Sequence, residues 1–295
     1  MFTPFADTTL PDLPDEELVR QATAGDRDAL ERLVRRHQSW VYNIAVRMTW
    51  RTDRAEDAAQ EILLKIVTHL ASFEGKSRFR TWAYRIAVNH LLTVQKSEME
   101  RRGVTFTDLG REMDGLPDLD PPDPKTVPVE LPVFVEEAKV GCTTAMLMCL
   151  DRRQRLAFVL GEVFGVSDRI GAEVMAVSAD NFRQLLARAR RDLYSFMNDT
   201  CGLVNPSNPC RCARKTQAFI DKGYLDPTRL QFTAERVERV RDVAPSRLGE
   251  LQALTDRQHA EVFREHSFLP MKDQVVALRQ LLNDPQGRRV VEQDS

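Results

Sequence analysis

Phe73-Glu74-Gly75-Lys76-Ser77-Arg78-Phe79-Arg80-Thr81-Trp82-Ala83-Tyr84-Arg85-Ile86-Ala87-Val88-Asn89-His90 is the stretch that decides how this chain is read. A short loop containing Gly75 delivers two bases, Lys76 and Arg78, to a segment in which aromatic residues are interleaved with arginines. Phe79, Trp82 and Ile86 recur at helical spacing, as the buried face of an amphipathic helix does. The same composition has a second reading. Nucleobases stack on aromatic faces and phosphates pair with guanidinium groups, so a surface carrying both suits opened, single-stranded nucleic acid better than closed duplex. Spacing alone leaves the two readings level, and the flanking sequence separates them.

N-terminal to this stretch the chain reads as helix. From Asp26 to about Trp50 the apolar positions Leu30, Leu33, Val34, Val41, Ile44, Ala45 and Met48 follow a helical period. Asp53 and Glu56 have the spacing of a capping box, and the helix they would open runs to about Leu70, with Ala58, Ile62, Leu63 and Ile66 facing inward. A third helix is predicted from near Phe79 to about Arg101. Residues 103–137 change character: six prolines, and nine acidic residues against only Arg111 and Lys125, predict an extended linker without a packed core. Residues 138–198 return to helix, with Leu150–Gly161, then Ser167–Met175, a tight turn at Ala176-Val177-Ser178, and a basic helix from Ala179 to Met197. Short helix, turn and basic helix are the order of a helix-turn-helix, whose second helix enters the major groove. The glycine frequent in such turns is missing.

The expected fold is therefore all-α. A disordered N-terminus (1–14) precedes a helical domain (15–102), an acidic Pro-rich linker (103–137), a second small helical domain (138–198) and a mostly helical extension (199–295). Net charge is −2, yet Lys76–Arg102 holds seven basic and two acidic residues, and Asn181–Asp192 holds four arginines and one aspartate. Two basic segments flank an acidic one. No apolar run approaches the roughly 20 residues that span a bilayer, and Met1–Asp12 lacks the basic and apolar regions of a signal peptide. A cytoplasmic protein without membrane contact is expected.

The motifs resemble those of the bacterial RNA polymerase sigma factors, in particular the small extracytoplasmic-function (ECF) class, over about residues 15–100 and 140–198. Asp57-Ala58-Ala59-Gln60-Glu61-Ile62-Leu63-Leu64-Lys65 resembles the family's DxxQE helix, and Phe79-Arg80-Thr81-Trp82-Ala83-Tyr84-Arg85-Ile86-Ala87-Val88-Asn89 its FRTWLYRIAxN. Leu150-Asp151-Arg152-Arg153-Gln154-Arg155 is similar to LPxRQR, and Phe182 to Arg190 to VKSRLxRAR. The resemblance implies that Asp57, Gln60, Glu61 and Leu64 dock on a coiled coil of the largest polymerase subunit, with the flap of the second-largest subunit as a further contact. It implies that the loop holding Lys76, Ser77 and Arg78 captures a flipped base of the −10 element, and that Phe79, Trp82, Tyr84, Arg85 and Asn89 support the melted strand. Trp82 is expected to be the most buried of these aromatics. Asn181, Arg183 and Gln184 would reach base edges of the −35 duplex, and Arg188 and Arg191 its phosphates. Leu185 stands where the family usually has a basic residue, so promoter sequence does not carry over. An anti-sigma partner is a further expectation. The implied function is a non-enzymatic promoter-recognition subunit; the alternative is a helix-turn-helix regulator that binds duplex only.

All five cysteines lie at 142, 149, 201, 210 and 212, the last three spaced Cys-x8-Cys-x-Cys. No cofactor is required by the implied function. Cys201, Cys210 and Cys212, with Cys149 or Cys142 as fourth ligand, are candidates for structural zinc; a redox-sensing thiol set and simple packing are the alternatives. The five histidines are scattered, and there is no Gly-rich phosphate loop, so an enzyme in the extension is not expected. The extension, with Leu248, Leu251, Leu254 and Val262 as an apolar stripe and helices predicted over Thr233–Phe263 and Met271–Leu282, is expected to be regulatory.

Overall fold

The computed structural model describes residues 13–119, 131–233, 263 and 273–283, and every regular element among them is helical. Two compact units divide the chain. The first draws on Met1–Gln95, Leu156–Leu186 and Phe268–Ser295, the second on Lys96–Arg155 and Ala187–Ser267. The division falls inside the segment 138–198 that the sequence reading takes as one domain. None of the described helices is long and apolar enough to cross a membrane.

The first unit opens with α1 (Asp15–Thr23), α2 (Arg27–Thr49), α3 (Thr52–Thr68) and α4 (Phe79–Thr93). Asp26 starts α2, its carboxylate accepting from the backbone N–H of Asp28 and Ala29 at 2.9 and 3.1 Å. The predicted period of α2 holds: Leu33, Val34, Val41, Ile44, Ala45 and Met48 are buried. They meet the inner stripe of α3, where Ala55, Ala58 and Ala59 let the two backbones approach between Ile62, Leu63 and Ile66. The capping box at Asp53 does not form. The helix starts at Thr52 with Arg51 in the cap position, two residues earlier than an Asp53 cap would place it, and Asp53 instead pairs with Arg51 and accepts from the N–H of Arg54 at 2.9 Å.

The predicted third helix is two. α4 ends at Thr93, and Ser97 begins α5 (Glu98–Arg102) through a capping box with Glu100, a start signal strong enough to break the run. The linker expected at 103–137 is also partly helix. Thr105 and Asp108 form a second capping box that opens α6 (Phe106–Gly115), and Leu109, Met113 and Leu116 are buried. That apolar period prevails over the acidic composition. A further helix, α7 (Leu131–Met148), begins inside the predicted linker, with Pro132 in its first turn, where a missing N–H is harmless. The rest of the linker lies outside the described residues.

In the second unit a buried guanidinium closes α7. Arg155, on α8 (Arg152–Phe158), has no exposed surface. It donates to the carbonyls of Leu147 (2.8 Å), Met148 (3.3 Å) and Leu150 (3.0 Å), which a helix end leaves without partners. Its charge is met by Glu100 at 3.1 Å, and Arg152 adds two bonds to the same carboxylate at 2.8 and 3.1 Å. The extension packs here too. On α11 (Cys212–Asp221), Lys215 donates to the Leu116 carbonyl at 2.5 Å, and buried Glu137 of α7 accepts from the N–H groups of Gln231, Phe232 and Thr233. In the first unit α12 (Gln274–Asn283), near the predicted Met271–Leu282 helix, buries Val275 and Leu278; its Gln274 N–H donates to Gln38 of α2 at 2.8 Å. The stripe at Leu248, Leu251, Leu254 and Val262 lies outside the described residues.

Burial alone would raise the Glu100 carboxyl, but the Arg152 bonds and the Arg155 charge outweigh it and hold the group at about 2, against an ordinary 4.5. A depressed acid contributes stability that is present above its unfolded value and lost as pH falls through its folded one. Glu100→Gln should therefore lose about 3 kcal/mol at pH 7. It should also flatten the decline in stability between pH 4.5 and about 2, read by urea denaturation across that window.

Candidate nucleic-acid interface

The interface begins with an anchor beneath it. Asp15, at the start of α1, is buried and receives Arg36 at 2.6 Å, Arg80 at 3.0 Å and His37 at 3.2 Å. Trp40 donates to Nδ1 of His37 at 2.8 Å, which leaves Nε2 as the protonated nitrogen facing Asp15. Burial would raise the Asp15 carboxyl, but the bonds from His37 and Arg36 and the charge of Arg80 hold it well below the usual carboxylate range. Burial lowers the His37 imidazole more than Asp15 raises it, so the ring is neutral at pH 7. The neighbouring Glu16 accepts from the Phe79 N–H at 3.2 Å and supplies the cap that Arg78 does not. Two carboxylates of α1 thus fix where α4 starts and how it is rotated.

That rotation sorts the side chains. Phe79, Thr81, Ala83, Tyr84, Ala87, Val88 and Leu91 point inward. Tyr84 stacks on Trp40 with centroids 3.6 Å apart and planes 11° from parallel, and has no exposed surface. Phe79 is buried against His37, Phe73 and Trp82. Two residues expected to support a nucleic-acid strand, Phe79 and Tyr84, are therefore core, and Trp82, expected to be the most buried aromatic, is only half-buried. Trp82, Arg85 and Asn89 share the outer face at i, i+3 and i+7, with Arg85 and Asn89 exposed. The loop before them turns at Gly75, whose φ of +70° favours glycine. It exposes Lys76, which pairs with Glu74, and Arg78, and half-buries Ser77.

On α3, Asp57 and Glu61 are exposed while Gln60 and Leu64 are half-buried, a single stripe with an apolar edge. His90 of α4 lies behind it, buried, 3.1 Å from Lys65 and 3.5 Å from Glu61. Burial and the Lys65 charge lower this histidine, so it accepts from Lys65 as a neutral ring. His90 thereby ties α4 to α3.

The helix-turn-helix forms as read. Ser167 caps α9 (Asp168–Met175), and Ala176 takes the left-handed conformation itself, φ +51°, where glycine is more usual. A Cβ on Gly171 would stand 2.3 Å from the Phe182 ring, so this glycine is what lets α9 close on α10 (Ala179–Thr200). Along α10 the side chains of Asn181, Arg183, Gln184, Arg188 and Arg191 are exposed. Leu185 is buried, which accounts for its being apolar. Arg183 is engaged by Asp168 and Asp180. In the same first unit α4 packs against α9, and Arg85 reaches Glu173 at 3.6 Å.

Of the candidate ligands, Cys142, Cys201, Cys210 and Cys212 line one cavity, and Cys149 does not. Among the described residues no three His, Cys, Asp or Glu side chains stand already arranged around a metal position.

Residues 33–98 match the sequence profile of Sigma-70 region 2. Over 183 residues the chain is 31% identical to the ECF RNA polymerase sigma-E factor of Haemophilus influenzae, covering 60% of this chain and 92% of that protein. It is 30% identical over 186 residues to the RNA polymerase sigma-H factor of Pseudomonas aeruginosa, covering 60% and 90%. The solved structure of CnrH in complex with the cytosolic domain of CnrY is 20% identical, covers 62% of this chain and 97% of that one, and has a TM-score of 0.44.

Core and surface on α4 should separate by mutation. Tyr84→Ala should cost about 3–5 kcal/mol in chemical denaturation, as buried aromatic truncations do. Asn89→Ala and Lys76→Ala should stay within about 0.5 kcal/mol of the parent.

Proposed function

The chain belongs to the ECF class of RNA polymerase sigma factors, and from that premise we propose that it directs promoter opening through two separate DNA-reading surfaces. As a sigma factor it acts in transcription initiation with RNA polymerase. The stripe Asp57, Gln60, Glu61 and Leu64 docks on a basic coiled coil of the largest polymerase subunit, its carboxylates supplying charge and Leu64 an apolar contact. Asn181, Arg183 and Gln184 read base edges of the −35 duplex from the N-terminal end of α10, and Arg188 and Arg191 hold phosphates.

The observation that carries the reading is the outer face of α4. Trp82 offers a partly open ring, Arg85 a guanidinium and Asn89 an amide along one side, next to the basic loop of Lys76 and Arg78. A flipped −10 base needs a pocket that stacks and hydrogen-bonds it, which offsets an unstacking cost of a few kcal/mol. The strand beyond it needs cation and π surface. For DNA to reach Arg85, its pair with Glu173 opens. Both partners are more than a third exposed, so the pair is worth less than about 1 kcal/mol and is readily exchanged for a phosphate. No catalytic group of its own is assigned to the chain; the chemistry belongs to the polymerase. A duplex-only regulator would use α10 alone, leaving the α3 stripe and the outer face of α4 without a role.

Mixing the protein with core polymerase lacking sigma, and sequencing transcript 5′ ends from genomic DNA, tests the reading. Defined start sites are expected. Arg85→Ala and Asn89→Ala should lower open-complex formation at least about tenfold, roughly 1.4 kcal/mol, with affinity for core unchanged, whereas Asp57→Ala with Glu61→Ala should weaken core binding. Duplex binding without any complex with core would establish the regulator instead.

A further inference from the structure

Four of the five cysteines come to one place in the second unit. Cys142 lies on α7, Cys201 directly follows α10, and Cys210 and Cys212 flank Arg211 where the chain enters α11. All four line a cavity of about 20 Å³, whose remaining walls include Met113, Met146 and Phe196. A space of that size admits one water-sized particle. Cys149, with Sγ 3.9 Å from the Ala145 carbonyl, is not part of it.

The loop between Cys201 and Cys210 is built to bring its ends together. The two cysteines form an isolated parallel backbone bridge. A Cβ on Gly202 would meet the Cys210 carbonyl at 2.1 Å, so glycine is required for the approach. Asn205 and Asn208 both donate to the Asn198 carbonyl, at 3.1 and 2.8 Å, tying the loop to the last turn of α10. Arg211 donates to the carbonyls of Pro206 at 2.6 Å and Cys210 at 3.0 Å.

We propose that Cys142, Cys201, Cys210 and Cys212 are the four ligands of a structural zinc ion that fastens α7, the end of α10 and the start of α11 together. Tetrahedral sulfur coordination at about 2.3 Å is what such sites use. The thiols line the void without yet standing around one point, so loading turns the four Sγ atoms inward. Binding displaces four thiol protons and leaves the centre with two negative charges, which nearby cations offset. Lys139 acts on Cys212, and Lys215 and Arg211 act on Cys210. A divalent cation removes the repulsion between adjacent thiolates.

The test uses the full chain purified without chelator. Elemental analysis should find about one zinc per chain, and exchange with cobalt should give the visible bands of a tetrahedral thiolate complex. Cys142→Ser, Cys210→Ser and Cys212→Ser should each lose stoichiometric zinc, with Cys149→Ser retaining it. A zinc-free parent without a cobalt thiolate spectrum overturns the proposal, whatever the variants do. So does zinc retained in Cys142→Ser, or a parent mass short by two hydrogens with no metal bound, which identifies a disulfide instead.

Discussion

A carboxylate withdrawn from water governs the geometry of the first unit. Asp15 would be expensive to bury alone, and its cost is offset only because Arg36, Arg80 and neutral His37 converge on it. The three partners come from α2 and α4, so satisfying one acid fixes the position of three helices. Side chains on adjacent helical positions point about 100° apart, so a one-residue change in the phase of α4 would put Tyr84 in water and turn Arg85 toward the core. The ring stack on Trp40 is the apolar counterpart of the same constraint. What α4 offers outward, Trp82, Arg85 and Asn89, is what remains once these inward demands are met.

The parts of this arrangement that were legible in the sequence are those decided locally. The period of α2 and the order of short helix, turn and basic helix each rest on residues within a few positions of one another. The α6 signal is equally local, carried by Thr105, Asp108, Leu109 and Met113, but it lies within an acidic, Pro-rich composition typical of a linker. The assignment of Tyr84 was beyond local reading. Its fate depends on Trp40 in another helix, and nothing in the spacing of Phe79, Trp82 and Tyr84 says which ring will find a partner. Glu100 with Arg155, and His90 with Lys65, escaped for the same reason. A buried polar or charged group is recognised by its partner, and the partner is distant in sequence.

The ion pairs of the molecule fall into two grades. The carboxylates that hold helices in place, Asp15 and Glu100, have side chains only 7% exposed, and their arginine partners are largely enclosed. Two of the arginines proposed to meet DNA are paired with carboxylates in the open: Arg85 with Glu173, and Arg183 with Asp168 and Asp180. Exposed pairs are screened and worth little, whereas breaking a buried one leaves an uncompensated charge. Ionic strength therefore acts on the second grade and leaves the first alone.

On the proposed reading, this division bears on how DNA affinity should respond to salt. An arginine already neutralised by a neighbouring carboxylate carries its counter-charge with it. Exchanging that carboxylate for a phosphate releases the condensed counterion from the DNA, as any phosphate contact does, but sets free an acid that then takes up a cation of its own. The net release per contact is smaller than for an unpaired arginine. On the proposed reading the pre-paired arginines trade affinity for selectivity, because non-specific duplex, which offers phosphates alone, repays the exchange poorly. On the same reading, a promoter that adds a base edge to Arg183 or a stacked strand beside Arg85 repays it better.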